Sequence, residues 1–324
     1  MNQAQTVVVT DSTFPSLEPE RSLLEQVGAR LASHQCTSEA EVIAAVHGAS
    51  VVLVQFAPIS KAVLEVLGPQ ATVIRYGVGV DNIDLEAARG LDVAVANVPD
   101  YCLDEVADHT VAMLLAMLRK LGPQQTELRG GGWNGIAVSR PILPMQRTTV
   151  GFVGLGRIGR SVLERLRPFG CRFVAADPML TPEMAAQLGV IPLELNAVLE
   201  QSDAVSLHSP LTTTTHHLIN AQRLACMKST AIIVNTARGG LIDTQALVTA
   251  IKTGAIGGAA LDVFEREPLE PTSPLRNLSN VWLTPHMSWY SEDAMGRLQH
   301  LAAEEAVRAL EGKPLRCPVW LSPG

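Results

Sequence analysis

The sequence predicts an α/β protein built on parallel sheets. Three observations carry that expectation. Short apolar or β-branched runs alternate with stretches of helical period, a glycine-rich turn follows one of the runs, and an acid closes the next run. At 324 residues the chain is long enough for two domains. Hydrophobic residues make up 47% and charged residues 18%, which allows a sizeable core and argues against disorder.

The expected strands are TVVVT (6–10), SVVLVQF (50–56), TVIRYG (72–77), VAVANV (93–98), TTVGFVG (148–154), RFVAAD (172–177), AVSLH (204–208), AIIVNT (231–236), AALDVF (259–264) and VWLTPH (281–286). Helical spacing runs through 105–121, 161–170 and about 291–312. Residues 129–145, RGGGWNGIAVSRPILPM, are rich in glycine and proline and carry little periodicity. They are expected to form a long functional or connecting loop, and the helix before them to join two lobes. No internal repeat or low-complexity segment interrupts the pattern.

Charge and composition exclude several classes. The net charge is -7 and no basic patch stands out, so nucleic acid is not expected as a direct partner. The N-terminus, MNQAQTVVVTDS, lacks the positive start and apolar stretch of a signal peptide. The longest apolar run, VAMLLAML (111–118), falls far short of the roughly 20 residues a bilayer span needs. No membrane association is expected. The five cysteines are scattered without C-x-x-C spacing, which fits reduced thiols in the cytoplasm. His216 and His217 are adjacent and lack a ligand-spaced partner, so no metal site is expected.

The stretch VGFVGLGRIGR (150–160) holds Gly154, Gly156 and Gly159 in the order G-x-G-x-x-G. A glycine triplet alone is weak, but this one follows an expected strand and opens an expected helix. The next strand ends in Asp177, 18 residues past Gly159. In such a unit the first glycine permits the tight turn, the second lets the backbone approach a pyrophosphate, and the third lets helix and strand pack closely. The pyrophosphate rests on free amide groups at the positive end of the helix. Asp177 can accept hydrogen bonds from ribose hydroxyls and would repel a 2′-phosphate, which favours NAD over NADP.

Three further residues lie just past expected strands: Arg238 in NTARGGLID, Glu267 in ALDVFEREP and His286 in TPHMSWYS. Strand ends on one edge of a parallel sheet converge on the ligand crevice. Reducing a 2-keto acid leaves a negative oxygen, and an imidazole such as His286 can protonate it near neutral pH. Glu267 can bond the other ring nitrogen and fix the tautomer. Arg238 offers a fork of donors for carboxylate and carbonyl together. A second anion site is RYGVGVDNID (75–84), where backbone N–H groups of Gly77, Val78 and Gly79 can meet a carboxylate beside Arg75.

Taken together, RYGVGVDNID, VGFVGLGRIG, LHSPLT with THHLIN, NTARGGLID, ALDVFEREP and TPHMSWYS resemble the D-isomer-specific 2-hydroxyacid dehydrogenase family. The resemblance spans nearly the whole chain and is weakest in the first 50 residues and the C-terminal tail. It implies two Rossmann-like or flavodoxin-like lobes with parallel sheets and an active-site cleft between them. The substrate lobe would comprise residues 1–100 plus 291–324, and the NAD-binding lobe residues 101–290. It further implies that Arg238 binds substrate and that Glu267 and His286 are the acid–histidine pair. Arg157, Ile158, Asp177, His208, Pro210, Thr215, Thr236, Ala237 and Asp262 match cofactor contacts, and Thr110 a contact on the nicotinamide side. The family is usually dimeric through its dinucleotide lobes.

Met287, Ser288, Trp289 and Tyr290 after His286, and Arg75 before its turn, look most like the C-terminal-binding-protein branch. There the residue matching Trp289 lines the substrate pocket; packing at a lobe junction is its other reading. The chain ends soon after its last expected helix, so neither a corepressor tail nor the regulatory domain of long phosphoglycerate dehydrogenases is expected. The expected activity is reversible hydride transfer between NAD(H) and a 2-keto or 2-hydroxy acid. The rival is an NAD(H)-sensing, corepressor-like protein whose dimer state answers to NADH with little turnover. Phosphoglycerate is disfavoured as substrate, because no extra basic cluster lies near the 75–79 turn.

Overall fold

The computed structural model describes residues 5–319. The chain divides into two compact units, one of residues 1–102 with 291–324 and one of residues 103–290.

The first unit holds β1 (Thr6–Val9), β2 (Arg30–Ser33), β3 (Val51–Val54), β4 (Thr72–Arg75) and β5 (Ala94–Asn97). All pair in parallel, in the order β2-β1-β3-β4-β5. This is the flavodoxin-like doubly wound order. The run VVLV of β3 is buried throughout, as a strand covered on both faces must be. Helices Glu39–Val46, Lys61–Leu67 and Leu85–Gly90 start at Ser38, Ser60 and Asp84, whose side chains accept an amide N–H of the first turn. Strand β2 was not expected from the sequence. It is an edge strand with the partly exposed residues RLAS, so it lacks the apolar run that marks its neighbours.

The helix Glu292–Leu310, capped by Ser291, belongs to this first unit, where it packs on the helix Glu18–Gln26. A buried polar cluster ties the two together. The Tyr76 hydroxyl donates to Glu20 Oε1 at 2.9 Å, and Gln299 Nε2 donates to both Glu20 oxygens and to the Ser16 carbonyl. Burial raises the Glu20 carboxyl above its ordinary range, against the pull of these hydrogen bonds. Tyr76 directly precedes the Gly77–Gly79 turn, so the cluster anchors the base of that turn.

The second unit holds β6 (Thr149–Val153), β7 (Arg172–Ala176), β8 (Ile191–Pro192), β9 (Ala204–Leu207), β10 (Ile232–Asn235), β11 (Gly258–Leu261) and β12 (Val281–Leu283). The parallel sheet runs β12-β11-β10-β9-β6-β7-β8. Its strand order reverses between β6 and β9, the switch point at which such sheets bind ligands. Alternate residues feed two cores. Ile232 and Val234 of β10 pack with Phe152, Leu163 and Leu166 on one face, while Ile233 packs with Leu199, Leu247 and Ile251 on the other.

Three expectations change here. The two-residue strand β8 was not anticipated, being too short and exposed to show in the sequence. The expected helix over 105–121 ends at Leu118, where Lys120 takes a left-handed φ of 55°. The stretch 129–145 is not one long loop, since it holds the helix Gly135–Ser139 and a short turn at Met145–Arg147. Among the described residues no helix is long and apolar enough to cross a membrane.

The buried Glu20 cluster makes a prediction. Tyr76→Phe removes a donor from a buried carboxyl group and should cost about 1–3 kcal/mol of stability. Urea unfolding of both forms checks this; an unchanged midpoint would show that the cluster carries no load.

Candidate active site

The glycine turn sits at the switch point. Gly154 follows β6 with a φ of 86°, and a Cβ there would meet the backbone of His208 and Ser209 at 2.8 Å. Only glycine allows the ends of β6 and β9 to touch in this way. Gly156 caps the helix Arg157–Leu166, and nothing lies within 4 Å of its missing Cβ. A Cβ on Gly159 would meet the Gly154 carbonyl at 2.9 Å, so this glycine seats the helix against the turn. The result is an open cradle of amide groups at a helix N-terminus, shaped for a pyrophosphate.

Asp177 closes β7 beside this cradle. Its Oδ2 accepts from the Leu155 amide at 2.6 Å and its Oδ1 from the Met179 amide at 2.7 Å. The carboxylate is therefore held against the glycine turn. Arg157 is exposed at the helix start, and Ile158 is partly buried on the core.

His208 stands across the turn. Its Nε2 shares a 2.8 Å hydrogen bond with Ser206 Oγ, and its ring stacks on Phe152 at 6.1 Å. Burial pulls its imidazole down to about 4, so the ring is neutral at pH 7. Pro210 and Thr215 lie in the loop that follows. The Thr215 hydroxyl donates to the Pro210 carbonyl at 2.7 Å and accepts from the Thr212 amide at 2.7 Å, which folds this loop on itself.

The ends of β10, β11 and β12 carry the next residues. Asn235, wholly buried, donates to the Arg238 carbonyl at 2.8 Å and accepts from the Ala237 amide at 3.0 Å. It braces the turn that presents Arg238. Thr236 is buried against Thr110, with their hydroxyls 2.7 Å apart. Gly239 follows, and a Cβ there would lie 1.9 Å from the Phe264 carbonyl carbon. The turn after β10 thus presses backbone on backbone against the loop after β11. That loop carries Glu267, whose Oε1 accepts from the Phe264 amide at 2.8 Å.

The other oxygen, Glu267 Oε2, is hydrogen-bonded to His286 Nδ1 at 2.6 Å. His286 has a left-handed φ of 54°, costly for a residue with a side chain. Asp262 underlies this geometry. Its carbonyl accepts from the His286 amide at 2.8 Å. Its buried carboxylate accepts from Thr284 Oγ1 at 2.6 Å and from the Met287 and Ser288 amides at 2.8 and 2.9 Å. His109 Nε2 donates to Thr284 Oγ1 at 3.1 Å and extends the network to the helix Leu103–Leu118. Trp289 follows, its ring edge-on to Tyr290 at 5.7 Å.

Chemically, this is an imidazole whose Nδ1 faces a carboxylate, on the loop after β12, with a guanidinium on the turn after β10 of the same sheet. The remaining residues singled out in the sequence belong to the first unit. Arg75 Nη1 donates to the Tyr76 carbonyl at 2.7 Å and folds over Gly77, whose φ is 138°. Asn97 donates to the Val78 carbonyl at 2.6 Å, and the Val98 amide to the Gly77 carbonyl at 3.0 Å, which fixes the turn through Gly79.

Comparison with known proteins agrees with this architecture. Residues 111–288 match the model of the D-isomer specific 2-hydroxyacid dehydrogenase NAD binding domain. The chain belongs to the D-isomer specific 2-hydroxyacid dehydrogenase family. NAD is the cofactor of the matched domain. The chain is 37% identical over 309 residues to a D-3-phosphoglycerate dehydrogenase of Methanocaldococcus jannaschii, covering 95% of this chain and 58% of that protein. It is 38% identical over 260 residues to a glyoxylate reductase of Korarchaeum cryptofilum, covering 79% of this chain and 78% of that one. The crystal structure of D-lactate dehydrogenase from Aquifex aeolicus, complexed with NAD and lactic acid, superposes with a TM-score of 0.85 at 26% identity, over 94% of this chain and 96% of that one.

Some supporting residues escaped the sequence reading. Asn235, Thr284 and His109 have partners 3, 22 and 175 residues away, and their residue types are common on any surface. Only the position of Asn235, at a strand end before a turn, gave a usable signal. Glu265 was missed as well. It lies 48 residues from His217 in sequence, yet the two are hydrogen-bonded, so His217 has a carboxylate partner that the sequence did not reveal.

The neutral His208 makes a pH prediction. Its folded pKa of about 4 lies below the unfolded value near 6.5. Unfolded chains therefore bind the extra proton between those values, and the stability tied to this ring is complete above pH 6.5 and lost as pH falls through about 4. His208→Asn should flatten the fall in stability across that window by about 1–3 kcal/mol. Denaturant unfolding at pH 7 and pH 4.5 measures it; parallel pH dependences of the two proteins would contradict it.

Proposed function

We propose that this protein is an NAD-dependent D-2-hydroxyacid dehydrogenase that reduces a small 2-keto acid, with His286 as acid and base. The observation that carries this reading is the His286–Glu267 pair at 2.6 Å, on strand ends adjoining the Arg238 turn. NADH, when bound, supplies the hydride. Gly154, Gly156 and Gly159 would cradle its pyrophosphate, with Arg157 and Ile158 at the helix start and Asp177 on the adenine-side ribose. His208, Pro210, Thr215, Thr236, Ala237, Asp262 and Thr110 complete the proposed contacts.

The chemistry falls to few side chains. Arg238 pairs with the substrate carboxylate and carbonyl through its fork of donors. His286 delivers a proton from Nε2 to the carbonyl oxygen, while Glu267 on Nδ1 stabilises the imidazolium and keeps the ring aimed. Arg75 and the amides of Gly77, Val78 and Gly79 are proposed to bind the substrate carboxylate, and Trp289 to border the substrate side chain. In the oxidative direction the same histidine accepts the hydroxyl proton. The fixed carboxylate of Asp177 supports a preference for NADH, since a 2′-phosphate would meet its charge.

A homodimer is also proposed. Trp133 is 89% exposed and Ile136 69%, beside the exposed Leu121 and Leu128. Leu128, Trp133 and Ile136 line one groove formed by the helix Leu121–Arg129, the segment after it and the helix Gly135–Ser139. A patch of that kind is unfavourable in water and calls for a partner. A second copy fits, as the family resemblance implies contact through the dinucleotide lobes. The free state of all five cysteines supports a reducing, cytoplasmic setting.

Two measurements test this reading. NADH oxidation should be fast with one of glyoxylate, hydroxypyruvate, pyruvate or phenylpyruvate and much slower with NADPH. His286→Ala should then lower turnover by about 100-fold or more. Tight NADH binding without turnover of any 2-keto acid would overturn the enzyme reading in favour of an NAD(H) sensor. In sedimentation experiments the protein should run as a dimer and the Trp133→Glu, Ile136→Glu double variant as a monomer. A monomeric parent protein would refute the dimer.

A further inference from the structure

We propose that His216, His217 and Glu265 form a binding site for a borderline transition-metal dication of the Zn2+, Co2+ and Ni2+ class. Their ligand atoms, two imidazole nitrogens and a carboxylate oxygen, all lie within 4.8 Å of one another. Two histidines and one glutamate are a donor set that such ions take with a fourth position left to water. A tetrahedral ion with bonds near 2.1 Å spaces its ligand atoms roughly 3.4 Å apart. The proposal requires the side chains, which are exposed at His216 and Glu265 and partly so at His217, to rotate to that spacing.

The backbone under the cluster is already fixed. The His217 amide donates to the Gly240 carbonyl at 2.8 Å, and the His216 amide to the Thr212 carbonyl at 2.9 Å. His217 takes a left-handed φ of 50°, and the two neighbouring rings stack face to face, with centroids 3.9 Å apart at 25°. A strained backbone that sets two imidazoles together is a feature to be explained by function. Glu265 arrives from the loop after β11, held by the Thr244 amide on Oε2 at 2.9 Å and by His217 on Oε1 at 2.5 Å.

Other pairs of imidazole and carboxylate are His109 with Asp262, His286 with Glu267 and His300 with Glu304. Each offers two donors. Among the described residues, His216, His217 and Glu265 are the one group of three or more. An ion here would fasten the loop after β9 to the loop after β11, on either side of the turn that presents Arg238. Bound to the folded chain alone, it would stabilise the protein by mass action.

The test is a calorimetric titration of the intact protein with zinc chloride, paired with thermal melting and the visible spectrum of the Co2+ form. The proposal expects one ion per chain, a raised Tm and a Co2+ spectrum of nitrogen and oxygen ligands. Glu265→Gln and His216→Ala should each weaken affinity by more than about tenfold, since even losing an outer partner of a ligand costs that much. His300→Ala should leave affinity unchanged. His216 is exposed, so its variant stays folded even if a change at Glu265 disturbs the loop. No binding, affinity untouched in both variants, or a Co2+ spectrum dominated by thiolate charge transfer would each overturn the proposal.

Discussion

The chemistry of this protein depends on one buried carboxylate. Asp262 is fully enclosed and takes three donors from a single loop, the Thr284 hydroxyl and the Met287 and Ser288 amides. A buried charge of this kind is tolerated only when its hydrogen bonds are complete. Here their completion dictates the path of residues 284–288 and forces His286 into a left-handed conformation. The left-handed residue sits between donors that all bond Asp262. The resemblance to the family suggested Asp262 as a cofactor contact; in the structure its carboxylate works first as the keystone of the histidine loop.

The neighbouring loops lock to this one through backbone rather than side chains. Gly239 lets the Arg238 turn lie against Phe264, and the amide of Phe264 holds the Glu267 carboxylate that orients His286. Arginine, glutamate and histidine thus sit on loops joined by direct contacts. The cofactor corner follows similar logic. Gly154 brings the ends of β6 and β9 into contact, and the neutral His208 leaves the charge of that corner to helix amides and Asp177.

What could be read from the sequence follows from how each element is stabilised. Strands buried on both faces, such as VVLV and AIIVNT, need continuous apolar runs and so announce themselves. The glycine triplet showed because each glycine answers a steric demand with no substitute. Edge strand β2 and the short β8 lack such runs, since one side meets no neighbour. The helix Gly135–Ser139 was hidden by the glycine and proline around it. Within the site, Arg238, Glu267 and His286 stood out by their place after strands. Asn235, Thr284 and His109 did not, because their roles arise from hydrogen bonds that the folded chain alone defines.

The most direct test of this account is a crystal structure with NAD+ and a bound 2-hydroxy acid. The account predicts His286 Nε2 about 3 Å from the substrate hydroxyl, Glu267 still on Nδ1, and the Arg238 guanidinium on the carboxylate. A hydroxyl bonded to some other group, with His286 turned away, would contradict it.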